Sequence, residues 1–216
     1  AKEIMFKLAI AFCAIIIGLV WVYVTMKKEK WKDIVIEAPP NPRTDVLYGY
    51  YASVKKEAYY NTKDHTNMFW VSGFFGVNED MTLSEDVISI FKETDHKIVL
   101  ELTPWVTEWT THDWSDKNRK MVLNKNAQTY LMRLFHQLHV EGVLSKIRYI
   151  AINDEPQLFI ESKQEHLKMI KLVKQIVSQF PANNVKWLNI FLAGEEFWNI
   201  EEFDIVGVDA YNQKSM

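Results

Sequence analysis

The residues of this chain best suited to chemistry stand at the ends of apolar runs. The run IRYIAIN, residues 147–153, stops at Asp154, Glu155 and Pro156. A second run carries Glu101 and leads into Trp105, and a third, IVGV, delivers Asp209, Tyr211 and Asn212. If the first run is a strand, its period of two puts Ala151, Asn153 and Glu155 on one face. Carboxyl groups so placed are versatile, because environment alone can keep one protonated and another ionised. Asp154 beside Glu155 would tend to raise the pKa of one of the two. Plainer readings stand beside these. Asp-Glu-Pro also suits a strand-to-loop turn whose acids cap the next helix. Glu101, inside an apolar run, could pair with a buried Arg or Lys. Trp105 and Tyr211 pack as core or rim as readily as they present a ring face to a ligand.

Other chemistries find less support. Cys13 is the single cysteine, so neither an intrachain disulfide nor a cysteine zinc site can form. His136 and His139 lie three apart on a helical stretch, a spacing that can hold a metal, but no acidic or histidine partner accompanies them and solvated positions are expected. His65, His96 and His112 fall in polar stretches and add no signal. No metal and no cofactor are expected. The chain contains no G-x-G-x-x-G, no phosphate-binding loop ending in Gly-Lys-Ser/Thr and no G-x-S-x-G elbow. A net charge of −3 and a pI near 6.1 give no reason to expect a nucleic-acid partner.

The elements that must position these residues alternate. Short apolar, aromatic or β-branched runs occur at 46–52, 68–75, 97–105, 147–152, 185–192 and 204–211. They are almost continuously hydrophobic, as strands buried on both faces should be. Helical patterns lie between several of them. Thr82 and Glu85 form a capping box ahead of Val87, Ile88 and Phe91. Longer helices are expected over about 118–140 and 163–180. The alternation predicts an α/β fold with a parallel sheet, and an incomplete (β/α)8 barrel of the TIM type with about six strands. A full barrel needs eight strands over about 250 residues, so the sequence is read as truncated at its C-terminal end.

Ahead of this domain, residues 8–26 read LAIAFCAIIIGLVWVYVTM without a charge. At about 1.5 Å per residue such a helix spans roughly the 30 Å of a bilayer core. Trp21 and Tyr23 suit the interface, and the bulky end of the run argues against signal-peptide cleavage. One N-terminal transmembrane helix in the lipid bilayer is therefore expected. Phe12 before Cys13 is too bulky for a lipidation signal, so Cys13 is read as buried in that helix. EAPPNPRTD, residues 37–45, reads as an extended linker. The resulting organisation is an anchor with its flanks at 1–32, a Pro-rich linker at 33–44 and the partial barrel at 45–216.

In a barrel, catalytic groups sit at the C-terminal ends of strands. With the fourth strand ending in Asp154-Glu155-Pro156, and with the stretch DIVGVDAY at 204–211, the sequence resembles the retaining glycoside hydrolases of the large (β/α)8 clan. The likeness spans roughly 46–216, and the order of its short motifs is more specific than each motif. It implies a glycosidase acting on a poly- or oligosaccharide, with Glu155 as general acid/base of a two-carboxylate mechanism. It also implies that Asn153, Asp154, Trp105 and Tyr211 contact the carbohydrate. The sequence departs from the family where Asp154 replaces the Asn that contacts the sugar 2-hydroxyl, and it has no strand seven to supply the family's nucleophilic Glu. A non-catalytic carbohydrate-binding or scaffolding barrel tethered to the membrane is the alternative. Lys27, Lys28, Lys30 and Lys32 after the apolar segment, against Lys2 and Lys7 before it, would place the domain in the cytoplasm. Hydrolases of polymers act outside. The expectation is a single-pass membrane protein with its barrel extracytoplasmic.

Overall fold

Buried strands need apolar residues on both sides, and the runs between the helices supply them. The structure, a computed structural model, describes residues 56–71, 76–113, 115–182 and 184–209. All belong to the second of two units into which the chain divides, Thr44–Met216. After helix α1 (Lys56–Thr62) come strand β1 (Met68–Val71), helix α2 (Glu85–Glu93) and strand β2 (Lys97–Glu101). A short helix α3 (Thr103–Val106) leads into an antiparallel hairpin of β3 (Thr107–Trp109) and β4 (Met121–Leu123). Helix α4 (Ala127–Val140), strand β5 (Ile147–Asp154), the short helix α5 (Pro156–Phe159), helix α6 (Lys163–Val177) and strands β6 (Lys186–Leu192) and β7 (Ile205–Asp209) complete the series.

Among the described residues the sheet runs β1-β2-β5-β6-β7, and every pairing in it is parallel. Spatial order follows chain order without the reversal that marks a doubly wound sheet. One face carries Val71, Leu100 and Ile152, packed with Phe91 of α2, Leu134 of α4 and Val173 of α6. The other face has a small cluster of strand residues alone: Trp70, Val99, Tyr149 and Ala151, flanked by Leu188, Ile190 and Ile205. Helices on one side and strand side chains on the other make the wall of a barrel, here a half-barrel.

Several expectations are corrected. Among the described residues no helix is long and apolar enough to cross a membrane. The transmembrane helix, the bilayer partner and the membrane location drawn from it are therefore withdrawn; the segment 8–26 lies outside the described residues. So does the first expected strand, 46–52. The run 97–105 does not stay extended to Trp105. Pro104, whose fixed φ suits a helix start, turns it into α3. The helix expected from 118 begins only at Ala127, because 121–123 pair with β3 and Asn126 occupies the cap position. Helix α2 starts after Ser84, while the Thr82 hydroxyl donates to Asp80, so the Thr82–Glu85 box does not form the cap. Helix α6 does have a side-chain cap, with the Ser162 hydroxyl accepting from the Glu165 amide at 3.1 Å.

Helix α6 also buries a titratable group. His166 is 0% exposed, stacked on Phe203 at 5.9 Å and tilted against Trp198 at 6.3 Å. Its Nδ1 lies 3.5 Å from the Asn199 amide nitrogen, and its Nε2 is buried without a partner. Burial pulls its pKa from 6.5 to about 4. The folded chain thus holds His166 neutral where the unfolded chain protonates it. That stabilisation is complete above pH 6.5 and is lost as pH falls towards 4, a change of about 3 kcal/mol. His166→Phe, which keeps an aromatic ring in the cluster, should flatten this part of the curve of urea-unfolding free energy against pH. An unchanged slope would place the acid sensitivity elsewhere.

Candidate active site at the strand ends

Strand β5 runs through the middle of the sheet and ends at the candidate residues. A register shift between Ala151 and Asp154 against β6 marks the place where it leaves regular pairing. Glu155 then adopts a left-handed backbone, φ 44° and ψ 58°. That conformation is uncommon for a residue with a side chain and costs on the order of 1–3 kcal/mol. Two constraints hold it: the Glu155 amide donates to the Ile190 carbonyl at 3.0 Å, and Pro156 opens α5 immediately after. Glu155 therefore does not continue the strand's alternation. Its orientation comes from a turn, and it occupies the cap position of α5 without a side-chain capping bond.

The Glu155 side chain is 5% exposed, and its Oε1 is buried with no hydrogen-bond partner. Burial, then the charges of Asp154 and Asp209, push its carboxyl above the ordinary range. A carboxyl whose surroundings favour the protonated form suits general-acid chemistry. Asn153 is 2% exposed, and both ends of its amide are buried without a partner.

Beside Glu155 a cavity of about 150 Å³ opens between β2, β5, the hairpin and α5. Glu101, Thr103, Asn153 and Asp154 supply its polar lining; Trp109, Phe159, Met121 and Ile160 close it. Glu101 is 0% exposed. Its carboxylate accepts from the Thr103 hydroxyl at 2.7 Å and from the Trp70 indole at 3.2 Å. Trp109 meets Phe159 edge to face at 6.5 Å, and the Arg119 guanidinium lies 4.7 Å from the Trp109 ring centre. The hairpin is tied down where the Glu161 amide donates to the Met121 carbonyl at 3.0 Å.

The structure thus brings Asn153 and Asp154 to one cavity with Glu155 beside them. Trp105 is elsewhere. It is 0% exposed in the helix-side core, and its indole donates to the Met81 carbonyl at 2.6 Å. The expected ligand contact at Trp105 is corrected to a core position, because α3 turns the ring into the helix layer. Tyr211 lies outside the described residues. Sequence reasoning passed over Phe159 and Thr103. Trp109 lies in a polar stretch, and the hairpin is what carries it to the cavity. His136 and His139 are exposed on α4. Among the described residues no three His, Cys, Asp or Glu side chains group to hold a metal.

No family model and no curated protein matches the chain. Among solved structures, an FMN-binding beta-glucuronidase from Facaelibacterium prausnitzii L2-6 is a distant structural neighbour, 14% identical with a TM-score of 0.48. The match covers 79% of this chain and 26% of that one, so the chain spans about a quarter of that protein's length.

Proposed function

We propose that this domain hydrolyses O-glycosidic bonds of an oligo- or polysaccharide, with Glu155 as the general acid. The observation that carries this reading is a buried carboxyl, its pKa raised, at the C-terminal end of the central strand of a parallel wall. In that role Glu155 gives its proton to the glycosidic oxygen as the bond to the anomeric carbon breaks. The unpartnered Asn153 amide can both donate to and accept from sugar hydroxyls, and Asp154 can accept from one. Retention, the outcome implied by the family resemblance, requires a second carboxyl about 5 Å from the first; inversion requires about 6.5–9.5 Å. The reading is tested by incubating the full chain with disaccharides and 4-nitrophenyl glycosides of both anomeric configurations. Release of reducing sugar that Glu155→Gln abolishes supports it. Equal turnover by the variant removes it.

A binding role without catalysis is favoured by one feature: the cavity is walled by Trp109 and Phe159, and Glu155 is not among its lining residues. On that reading Trp109→Ala should weaken oligosaccharide binding about tenfold by calorimetry, while no glycoside is cleaved.

A further inference from the structure

We propose that Asp209 is the second carboxylate of the site, acting as general base on the attacking water, so that hydrolysis inverts the anomeric centre. This rests on the glycosidase reading of Glu155. Ile205, at the start of β7, packs with the helix-free face of the sheet beside Trp70, Val99, Tyr149 and Ala151. The strand period of two puts Gly207 and Asp209 on that face too. Val206 and Val208 alternate to the other side, where both are exposed. Register sets the height. Asp154 pairs with Ile190, Ile190 with Gly207, and Leu192 with Asp209. Asp209 therefore stands one strand period above the level of Asp154, and Glu155 stands one residue above it. The two residues thus stand at nearly one height along the sheet.

Their lateral spacing follows from the strand order. Strands β5 and β7 are separated by β6 alone, so their backbones lie roughly 9–10 Å apart. That separation borders the range in which a water fits between two carboxyls. Asp209 is half-buried, open enough to stay hydrated. Its carbonyl accepts from the Ala193 amide at 2.9 Å, which pins the strand end. Gly207 keeps the surface below it low: a Cβ there would come within 3.2 Å of Ile190 Cγ1. Asp209 also adds to the charge that Glu155 feels.

The reaction then balances. Asp209 takes a proton from water as the water oxygen bonds to the anomeric carbon on the face opposite the leaving group. The glycosidic C–O bond breaks, and Glu155 delivers its proton to the departing oxygen. One water is consumed, and exchange with solvent resets both carboxyls.

Proton NMR of the first product formed by the full chain from the same disaccharides and 4-nitrophenyl glycosides tests this, alongside Asp209→Asn and Glu155→Gln. The expected result is a product of inverted configuration and a loss of 100-fold or more in either variant. In 13C NMR titration of glutamate carboxyls, Asp209→Asn should also lower the midpoint of Glu155. A retained product, or near-normal turnover by Asp209→Asn beside an inactive Glu155→Gln, overturns the base and leaves the glycosidase reading standing. An unshifted Glu155 midpoint overturns the pairing whether or not a good substrate is found. A wild-type chain inert towards every glycoside overturns both.

Discussion

Glu155→Gln is expected to lower kcat/KM for an unactivated glycoside by about 10²–10⁴, roughly 3–5 kcal/mol of transition-state stabilisation. Gln matches the shape of Glu and has no proton to give the leaving oxygen. A 4-nitrophenyl leaving group needs less protonation, so the loss on aryl glycosides should be smaller. Stability should move the other way. The Glu155 carboxyl has a folded pKa above its ordinary value of 4.5. A group of this kind contributes stability fully below its unfolded pKa and loses it as pH rises through the folded value. Burial and the charges of Asp154 and Asp209 oppose ionisation of Glu155, a cost that Gln removes. The melting temperature of the variant at pH 7 should therefore equal or exceed the wild type's, and the gain should vanish in acid. An inactive variant that also melts well below the wild type would mean that Glu155 holds the turn before Pro156 and has no chemical role.

Trp105→Ala should destabilise the domain by about 3–5 kcal/mol, read as a shift in the urea midpoint at constant slope. The ring is 0% exposed within the helix-side core, and truncation opens a large cavity in a close-packed layer. It also strips the Met81 carbonyl of its indole donor. Met81 itself has a left-handed backbone, φ 67°, in a turn that the Met81 amide also holds by donating to the Asn78 carbonyl at 2.9 Å. Trp105→Phe restores most of the volume and none of the hydrogen bond, and should cost about 1–2 kcal/mol. Oligosaccharide affinity per folded molecule should be unchanged in both variants. A large affinity loss with intact stability would return Trp105 to the binding surface.

The glycosidase reading predicts opposite stability effects at two positions that the sequence treats alike, both near the ends of apolar runs. On that reading Glu155 is costly to the fold and useful to chemistry. Trp105 is useful to the fold alone. The difference lies in local backbone geometry, which hydrophobic periodicity does not encode.

What the sequence determined by itself was the alternation. Runs such as KIVLE and IRYIAIN are apolar on both faces, which restricts them to a sheet covered by helices, and the intervening 3.6-residue patterns provide those helices. Parallel order follows from that, and so does the position of Asn153, Asp154 and Glu155 at the end of a strand. The cap at Ser162 was equally local. Tertiary structure decided the rest. Trp105 became core because Pro104 ended a strand that the apolar pattern would have prolonged. Met121, Val122 and Leu123 became a strand because β3 lay ready to pair with them, a contact no local propensity specifies. Glu155 sits in a left-handed turn anchored on Ile190, a residue 35 positions away in the chain. The height of Asp209 along the sheet is set by the register of two strand pairs. Burial and long-range pairing set each of these outcomes, since both depend on neighbours distant in sequence and brought close only when the sheet forms.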